Sequence, residues 1–175
     1  MPARIALIGY RGSGKTTVGR LLAEQLGYAF ADSDDWIEQQ HGKSIAAIFA
    51  EEGEEVFRAW EESAIATLLE QDKLVLATGG GAVLRESTRR RLRQRAFVIW
   101  LDADPAILAA RVAADPTTAQ RRPALTESDP VREIEALWKE RRPWYARVAH
   151  RRLDVSRTPP AELVDALVRE RPWQS

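Results

Sequence analysis

The stretch GYRGSGKT, residues 9–16, decides the fold of this chain. A short apolar run at residues 3–8 precedes it and predicts a strand, and an amphipathic run, Lys15–Leu26, follows it and predicts a helix. A strand, a glycine-rich turn, a lysine, a hydroxyl residue and a helix in this order form the phosphate-binding pattern G-x-x-x-x-G-K-[ST] in its proper context. We therefore predict a nucleotide-binding loop.

Each part of this loop has a physical reason. Gly9, Gly12 and Gly14 let the backbone wrap closely around an anion in conformations that a Cβ would resist. The N–H groups of the loop and the start of the helix point at that anion, and the helix dipole favours negative charge there. Lys15 can then reach the β- and γ-phosphates, and the Thr16 hydroxyl can ligate magnesium.

The composition excludes several other classes of protein. The 175 residues suffice for one domain, which we place at 1–175. The formal net charge is zero, and the arginine-rich run at 85–95 has no interleaved aromatic residues, so we interpret that run as a solvated helix face and expect no nucleic-acid partner. The lack of cysteine excludes disulfides, thiolate metal sites and a cysteine nucleophile. No apolar run approaches the roughly 20 residues that span a bilayer, and we see no room for a signal peptide, so we expect a cytoplasmic protein without membrane partners.

Strand-like and helical patterns alternate along the chain, which predicts an α/β fold with a mostly parallel sheet. Ligands of such sheets bind at the carboxyl ends of the strands, where the phosphate loop, residues 32–34 and residues 79–81 would meet. We predict strands at 5–8, 28–31, 74–77, 96–101 and 152–155, and helices at 15–26, 54–69, 105–112, 131–148 and 160–168, the fourth of these helices kinked or divided by Pro143.

Residues 114–130, ADPTTAQRRPALTESDP, fit neither a helix nor a strand pattern. A long irregular loop inside a compact domain is usually either a functional lid or disordered, and beside a nucleotide site we favour the lid. Arg121 or Arg122 could then swing over the phosphates and neutralise the charge that develops during phosphoryl transfer.

Two carboxylates, Asp32 and Asp34, follow the second predicted strand. One of them could hold magnesium directly or through water, and the other could accept a proton from an attacking hydroxyl. The alternative is that Ser33 or Asp34 merely caps a helix that begins near Asp35, and the two interpretations are compatible.

Several further residues have both a functional and a structural interpretation. Arg58 could capture a substrate carboxylate with its planar fork, or it could make surface ion pairs with Glu54, Glu55, Glu61 or Glu62. The three glycines at 79–81 favour close approach of the backbone to a ligand over a merely flexible turn. Arg141 and Arg142 could supply another anion contact, and Arg111 and Arg157 are candidates to pack against a nucleotide base.

Taken together, these motifs resemble the shikimate kinase family. The matching segments are GYRGSGKTT, FADSDDW, GEEVFRAWE, LATGGGAV, RRPAL and ERRPWYARVAH, in that order and at comparable spacings between residues 4 and 168. The resemblance implies a three-layer sandwich with a five-stranded parallel sheet, similar to nucleoside monophosphate kinases, with a mobile lid at about 114–130 of the longer form. It also implies a monomer that uses ATP and Mg²⁺ to phosphorylate the 3-hydroxyl of shikimate in aromatic amino-acid biosynthesis.

The resemblance assigns roles residue by residue. Lys15, Asp34 and Arg122 would be catalytic, with Asp34 on the reacting hydroxyl and Arg122 on the lid. Thr16 would bind magnesium directly and Asp32 through water. The nucleotide would be bound by Gly12, Ser13, Gly14, Lys15, Thr16, Thr17, Arg111, Arg122 and Arg157, and shikimate by Asp34, Arg58, Gly80, Gly81 and Arg141.

Two alternatives remain open at this stage. A kinase for another small polyol acid, such as gluconate, would fit the same loop and fold. A non-catalytic nucleotide-binding regulator would lack the acceptor-site carboxylate or the lid arginine, and both are present in this chain.

Overall fold

The structure, a computed structural model, describes residues 4–116 and 129–174. Five strands lie in one sheet in the order β2-β3-β1-β4-β5, and every neighbouring pair is parallel. The strands are β1 (Arg4–Ile8), β2 (Ala29–Asp32), β3 (Leu74–Ala77), β4 (Phe97–Asp102) and β5 (Arg151–Asp154). The helices of the described residues are α1 (Lys15–Leu26), α2 (Ser33–His41), α3 (Ile45–Glu52), α4 (Glu54–Leu68), α5 (Glu86–Arg95), α6 (Pro105–Ala114), α7 (Pro130–Val148) and α8 (Pro160–Glu170), with short 3₁₀ turns at Ala82–Leu84 and Pro172–Gln174.

Helices cover both faces of the sheet and form a three-layer sandwich. The first core packs α1, α6 and α8 on one face, through residues such as Val18, Leu108 and Val164. The second core packs α4, α5 and α7 on the other face. Strand β3 is buried along its whole length because both of its faces meet a helix layer, as is usual in parallel sheets. The expected α/β fold with a five-stranded parallel sheet is confirmed.

A third, smaller core lies beyond one edge of the sheet. Ile37, Ile45, Ile48 and Phe57 from α2, α3 and α4 are fully buried against one another. This small core fixes α4 beside the ends of β2 and β3. No helix was expected at α3, which has eight residues and begins after a Ser44 cap.

The element bounds correct several expectations. Strands β2, β4 and β5 begin within one residue of the predicted positions. Pro143 does not divide its helix, since α7 runs unbroken from Pro130 to Val148. Proline removes one backbone hydrogen bond, but Arg141 and Tyr145 on either side are buried by tertiary packing that holds the helix together. The predicted lid, 114–130, lies largely outside the described residues.

The arginine-rich helix α5 is bound to its neighbours rather than left free for a ligand. Arg85 pairs with Glu55 and Glu62 of α4, and Arg95 pairs with Glu70. Arg93 donates to the carbonyls of Arg147 and Val148 at the end of α7. These contacts agree with the interpretation of a structural, partly solvated helix face.

No helix within 4–116 and 129–174 is both long and apolar enough to cross a bilayer.

Candidate active site

The loop between β1 and α1 has the backbone that its glycines predicted. Gly9, Gly12 and Gly14 have φ angles of 148°, 84° and 87°, a region that residues with a Cβ rarely adopt. A Cβ on Gly12 would lie 3.2 Å from the carbonyl oxygen of Leu108 in α6. Gly14 is the N-cap of α1 and supplies no side-chain cap, so the N-terminus of the helix faces the loop.

Lys15 lies folded across this loop. Its Nζ donates hydrogen bonds of 2.8 Å to the Gly9 carbonyl and 3.0 Å to the Tyr10 carbonyl. The ammonium group is therefore held against the phosphate loop by two of its carbonyls. A polyphosphate in the loop would meet a positive charge that is already in place.

Thr16 and Asp32 meet across the start of α1. The Thr16 hydroxyl donates to Asp32 Oδ2 at 2.9 Å, while Asp32 Oδ1 accepts from the backbone N–H groups of Asp34 and Asp35 at 2.9 and 3.3 Å. Asp32 itself therefore caps α2, which begins at Ser33. The expected cap at Ser33 or Asp34 is wrong, because the helix starts two residues earlier than predicted.

The environment of Asp32 suits a hard cation. Burial, and then the negative charges of Asp34 and Asp35, raise the pKa of the Asp32 carboxyl above its ordinary value. A bound Mg²⁺ would favour the ionised form. Within 4–116 and 129–174 no group of three or more His, Cys, Asp or Glu side chains is arranged so that it could hold a metal ion.

One cavity joins these groups at the carboxyl edge of the sheet. Its volume is about 330 Å³. The phosphate loop forms one wall, and the ends of β2 and β3 form the other, as the strand-end rule predicted. It is lined by Arg11, Gly12, Gly14, Lys15, Thr16, Thr17, Asp32, Asp34, Thr78, Gly79, Gly80, Arg111 and Asp115.

Arg58 is buried, with 5% of its surface exposed. Its Nη1 donates to Glu61 Oε2 at 2.6 Å, and Glu61 is 2% exposed. A weaker contact of 3.4 Å joins Nη2 to Glu54. Of the two interpretations of Arg58, the ion-pair alternative named the right partners in Glu54 and Glu61, but the pair with Glu61 is buried rather than at the surface, because α4 is fixed between the second and third cores.

The glycine segment, residues 79–81, leaves room for the Arg58 side chain. A Cβ on Gly81 would lie 2.5 Å from Arg58 Cζ, so only glycine leaves room for the guanidinium. The segment is fixed by neighbouring side chains. Ser33 Oγ accepts from Gly79 N at 3.1 Å, and the Thr78 hydroxyl donates to the Leu7 carbonyl at 3.1 Å. The close backbone approach predicted for residues 79–81 is thus toward an arginine as well as toward the cavity.

Arg141 and Arg142 have different surroundings. Arg141 is 8% exposed and lies beside Gly80, whose added Cβ would be 3.6 Å from Arg141 Nη1. Its Nε has no hydrogen-bond partner, and no described residue forms an ion pair with its guanidinium. Arg142 is exposed and stacks over Trp138, with its Cζ 5.1 Å from the ring centroid. Of these two arginines, Arg141 is the one beside the glycine segment, although neither Arg141 nor Arg58 is among the residues that line the cavity.

The remaining candidates lie at the nucleotide side or outside the described residues. Arg111 lines the cavity and donates to the Val155 carbonyl at 2.8 Å, which ties α6 to the end of β5. Arg157 is exposed and does not line the cavity. Arg121 and Arg122 lie outside the described residues.

Sequence reasoning missed four residues that shape the site. Arg11 and Asp115 line the cavity, and Glu61 fixes Arg58. The Tyr145 hydroxyl donates to the Gly80 carbonyl. Only Glu61 had a signal, its i+3 spacing from Arg58, and that spacing does not reveal burial.

Comparison with known proteins gives a consistent result. A sequence model of the shikimate kinase family matches residues 11–171. A shikimate kinase of Symbiobacterium thermophilum is 49% identical over 153 residues, 87% of each chain, and one of Rhodopirellula baltica is 41% identical over 98% of this chain and 91% of its own. A solved shikimate kinase from Acinetobacter baumannii, in complex with shikimate, superposes with a TM-score of 0.91 at 36% identity, over 100% of this chain and 95% of that one. A gluconokinase from Sinorhizobium meliloti, 20% identical with a TM-score of 0.57, shares only the fold.

Proposed function

We propose that the cavity at the carboxyl edge of the sheet is the active site of this chain, which belongs to the shikimate kinase family and phosphorylates the 3-hydroxyl of shikimate with ATP. The observation that supports this most is Arg141. A buried guanidinium with no counter-charge among the described residues is costly, and buried charges are normally paired. An anionic substrate would supply the missing charge.

The acceptor half of the site suits a small carboxylic acid. The guanidinium of Arg58 lies beside Gly81 and that of Arg141 beside Gly80, so two planar cations approach one short stretch of backbone. A carboxylate between them could accept charge-assisted hydrogen bonds from both forks. Glu61 holds Arg58 in place before the substrate binds. Substrate binding therefore costs less side-chain conformational entropy at Arg58.

The donor half is the phosphate loop. Lys15 and the N–H groups of residues 12–17 would bind the β- and γ-phosphates of ATP, with Arg111 beside them. We also propose, from the family resemblance alone, that Arg122 closes over the phosphates and that Arg157 lies near the base. The same resemblance favours a cytoplasmic monomer.

Magnesium would be held at Thr16 and Asp32. The hydroxyl and the carboxylate lie within one hydrogen bond of each other, and both are the oxygen ligands that Mg²⁺ prefers. When bound, the ion neutralises charge on the β- and γ-phosphate oxygens.

Asp34 is the proposed proton acceptor. It lines the cavity from the first turn of α2, opposite the phosphate loop. The substrate hydroxyl oxygen forms a bond to the γ-phosphorus while the bond from that phosphorus to the β–γ bridging oxygen breaks and ADP leaves. The hydroxyl proton passes to the Asp34 carboxylate. Most of the rate enhancement comes from positioning and charge stabilisation.

An ADP-release assay with ATP and Mg²⁺ tests this function directly. We expect rapid ADP formation with shikimate, little with gluconate and little without an acceptor, together with a product that carries one phosphate per ADP. Equal rates with and without shikimate would contradict the kinase, and a preference for gluconate would indicate a different polyol acid.

The neighbouring residues Arg141 and Arg142 allow a matched test of the proposed binding site for the substrate carboxylate. We expect Arg141→Ala to raise the KM for shikimate by about 10- to 100-fold, because it removes a charged contact to the substrate, and to leave the KM for ATP nearly unchanged. Arg142→Ala, one residue along the same helix, should change neither. Arg141 is a better test than Arg58, whose loss would leave Glu61 buried and unpaired and would destabilise the fold by about 3–5 kcal/mol.

A wild-type KM for shikimate in Arg141→Ala, or equal effects of both substitutions, would contradict the assignment. The measurement is steady-state kinetics with each substrate varied in turn, after thermal unfolding has shown that both variants are folded.

A further inference from the structure

Two adjacent backbone donors in the glycine segment lack acceptors among the described residues. Gly80 and Gly81 are buried, yet neither N–H donates to any described group, whereas the N–H groups of Gly79 and Ala82 donate to Ser33 and to Gly79. More than nine in ten buried backbone N–H groups in proteins have a partner. Two such donors side by side therefore indicate a place where a ligand or water accepts.

The carbonyl of the same peptide unit is held by one side chain. The Tyr145 hydroxyl donates to Gly80 O at 2.5 Å, and Tyr145 is fully buried. Its ring stacks on Trp100, with 5.8 Å between centroids, and packs in the second core. The hydroxyl is thus fixed by the core of the protein rather than by the loop that it holds.

A trans peptide is planar, and its C=O and N–H point in opposite directions. With Gly80 O held toward Tyr145, the N–H of Gly81 must point away from it. Glycine on both sides of this bond supplies no Cβ to resist rotation, although the hydrogen bond of 3.1 Å from the Ala82 N–H to the Gly79 carbonyl closes a turn around this peptide. The tyrosine hydroxyl adds a second restraint, which comes from outside the segment.

We propose that Tyr145 is a positioning residue for the acceptor substrate: it fixes the Gly80–Gly81 peptide so that the Gly81 N–H meets the substrate carboxylate between Arg58 and Arg141. This inference rests on the proposed function, which places the carboxylate there. The family resemblance already assigned Gly80 and Gly81 to shikimate, and the new element is Tyr145, whose hydroxyl contacts the glycine segment from four residues after Arg141.

The test is Tyr145→Phe, which removes one oxygen and keeps the ring. We expect the KM for shikimate to rise about tenfold, from the loss of one oriented hydrogen bond to a charged group, with kcat and the KM for ATP within about twofold. The methyl ester of shikimate, which has no charge at this end, should be affected much less than shikimate itself. A merely structural role for Tyr145 would not distinguish the acid from its ester.

Two further variants separate positioning from stability. Val164→Ala removes two methyl groups from the first core, far along the chain from the glycine segment, and should lower Tm without changing the KM for shikimate. Trp100→Phe loosens the packing of the Tyr145 ring and keeps its hydroxyl, so it should raise that KM by a smaller factor than Tyr145→Phe does. It also provides the test if Tyr145→Phe fails to fold.

The outcomes are distinct. An unchanged KM for shikimate in folded Tyr145→Phe, or equal penalties on acid and ester, would overturn the role of Tyr145 while leaving the kinase intact. Absence of phosphorylation by the wild-type enzyme would overturn the proposed function, and this role with it.

Discussion

Lys15→Ala should reduce kcat by at least about a thousandfold, because it removes the cation that the loop presents to the β- and γ-phosphates. The Lys15 ammonium is already bound to the carbonyls of Gly9 and Tyr10, so it is positioned before the nucleotide arrives. Its loss also removes one donor from each of these carbonyls, although the Tyr10 carbonyl still accepts from the Ser13 N–H at 3.2 Å. Turnover is measured as ADP release with saturating shikimate and magnesium, over a range of ATP concentrations wide enough to separate kcat from KM.

Lys43→Ala is the matched control for this prediction. Lys43 is a lysine at the surface whose ammonium pairs with Glu51, and it lines no part of the cavity. Its substitution should leave kcat within about twofold, in line with the small contribution of exposed ion pairs. A Lys15→Ala enzyme that retains more than a tenth of the wild-type kcat would contradict the role given to this residue.

The fold could be predicted to a large extent because its signals are local. The loop at residues 9–16, the alternation of apolar strands with amphipathic helices and the rule that ligands bind at carboxyl strand ends together place the cavity. Each of these depends on spacing within one short segment. Strand bounds were off by about one residue because neighbouring strands, rather than local preference, decide where pairing stops.

The parts that sequence reasoning missed depend on contacts between distant segments. Arg58 has acidic neighbours at helical spacing, which is the usual pattern of a surface helix, and only the packing of α4 against α2 and α3 buries it. Tyr145 reaches Gly80 across 65 positions of the chain. Nothing in the sequence near either residue encodes that contact.

The two arginines of the acceptor site show how burial changes the interpretation of a charge. Arg58 has a buried counter-ion, Glu61, and would be stable without a ligand. Arg141 has none among the described residues, so its own positive charge is left unbalanced beside the glycine segment. This unbalanced charge favours an acid over a neutral sugar, an argument that depends on the geometry and that residue spacing alone could not supply.

Asp34→Asn should lower kcat by about a hundred- to ten-thousandfold while the KM for shikimate stays within about threefold. Asparagine has nearly the same shape and can still hydrogen-bond a hydroxyl, so substrate binding persists. The asparagine side chain cannot take up the proton of the substrate hydroxyl at neutral pH. It also lacks the negative charge that attracts this proton as it leaves the hydroxyl oxygen. Separate titrations of shikimate and ATP, with product formation as the readout, measure the two effects.

Asp35→Asn, the same change one residue further along, distinguishes the chemistry from the local charge. Both residues lie in the first turn of α2, and both backbone N–H groups bond to Asp32 Oδ1, but only Asp34 lines the cavity. Both substitutions remove one negative charge beside Asp32 and should shift the pKa of its carboxyl in the same direction. If the loss of activity came only from that shift, the two variants would lose similar amounts of kcat. A large loss confined to Asp34→Asn would instead locate the proton acceptor at Asp34, because of these two carboxylates only that of Asp34 lines the cavity that also contains Lys15.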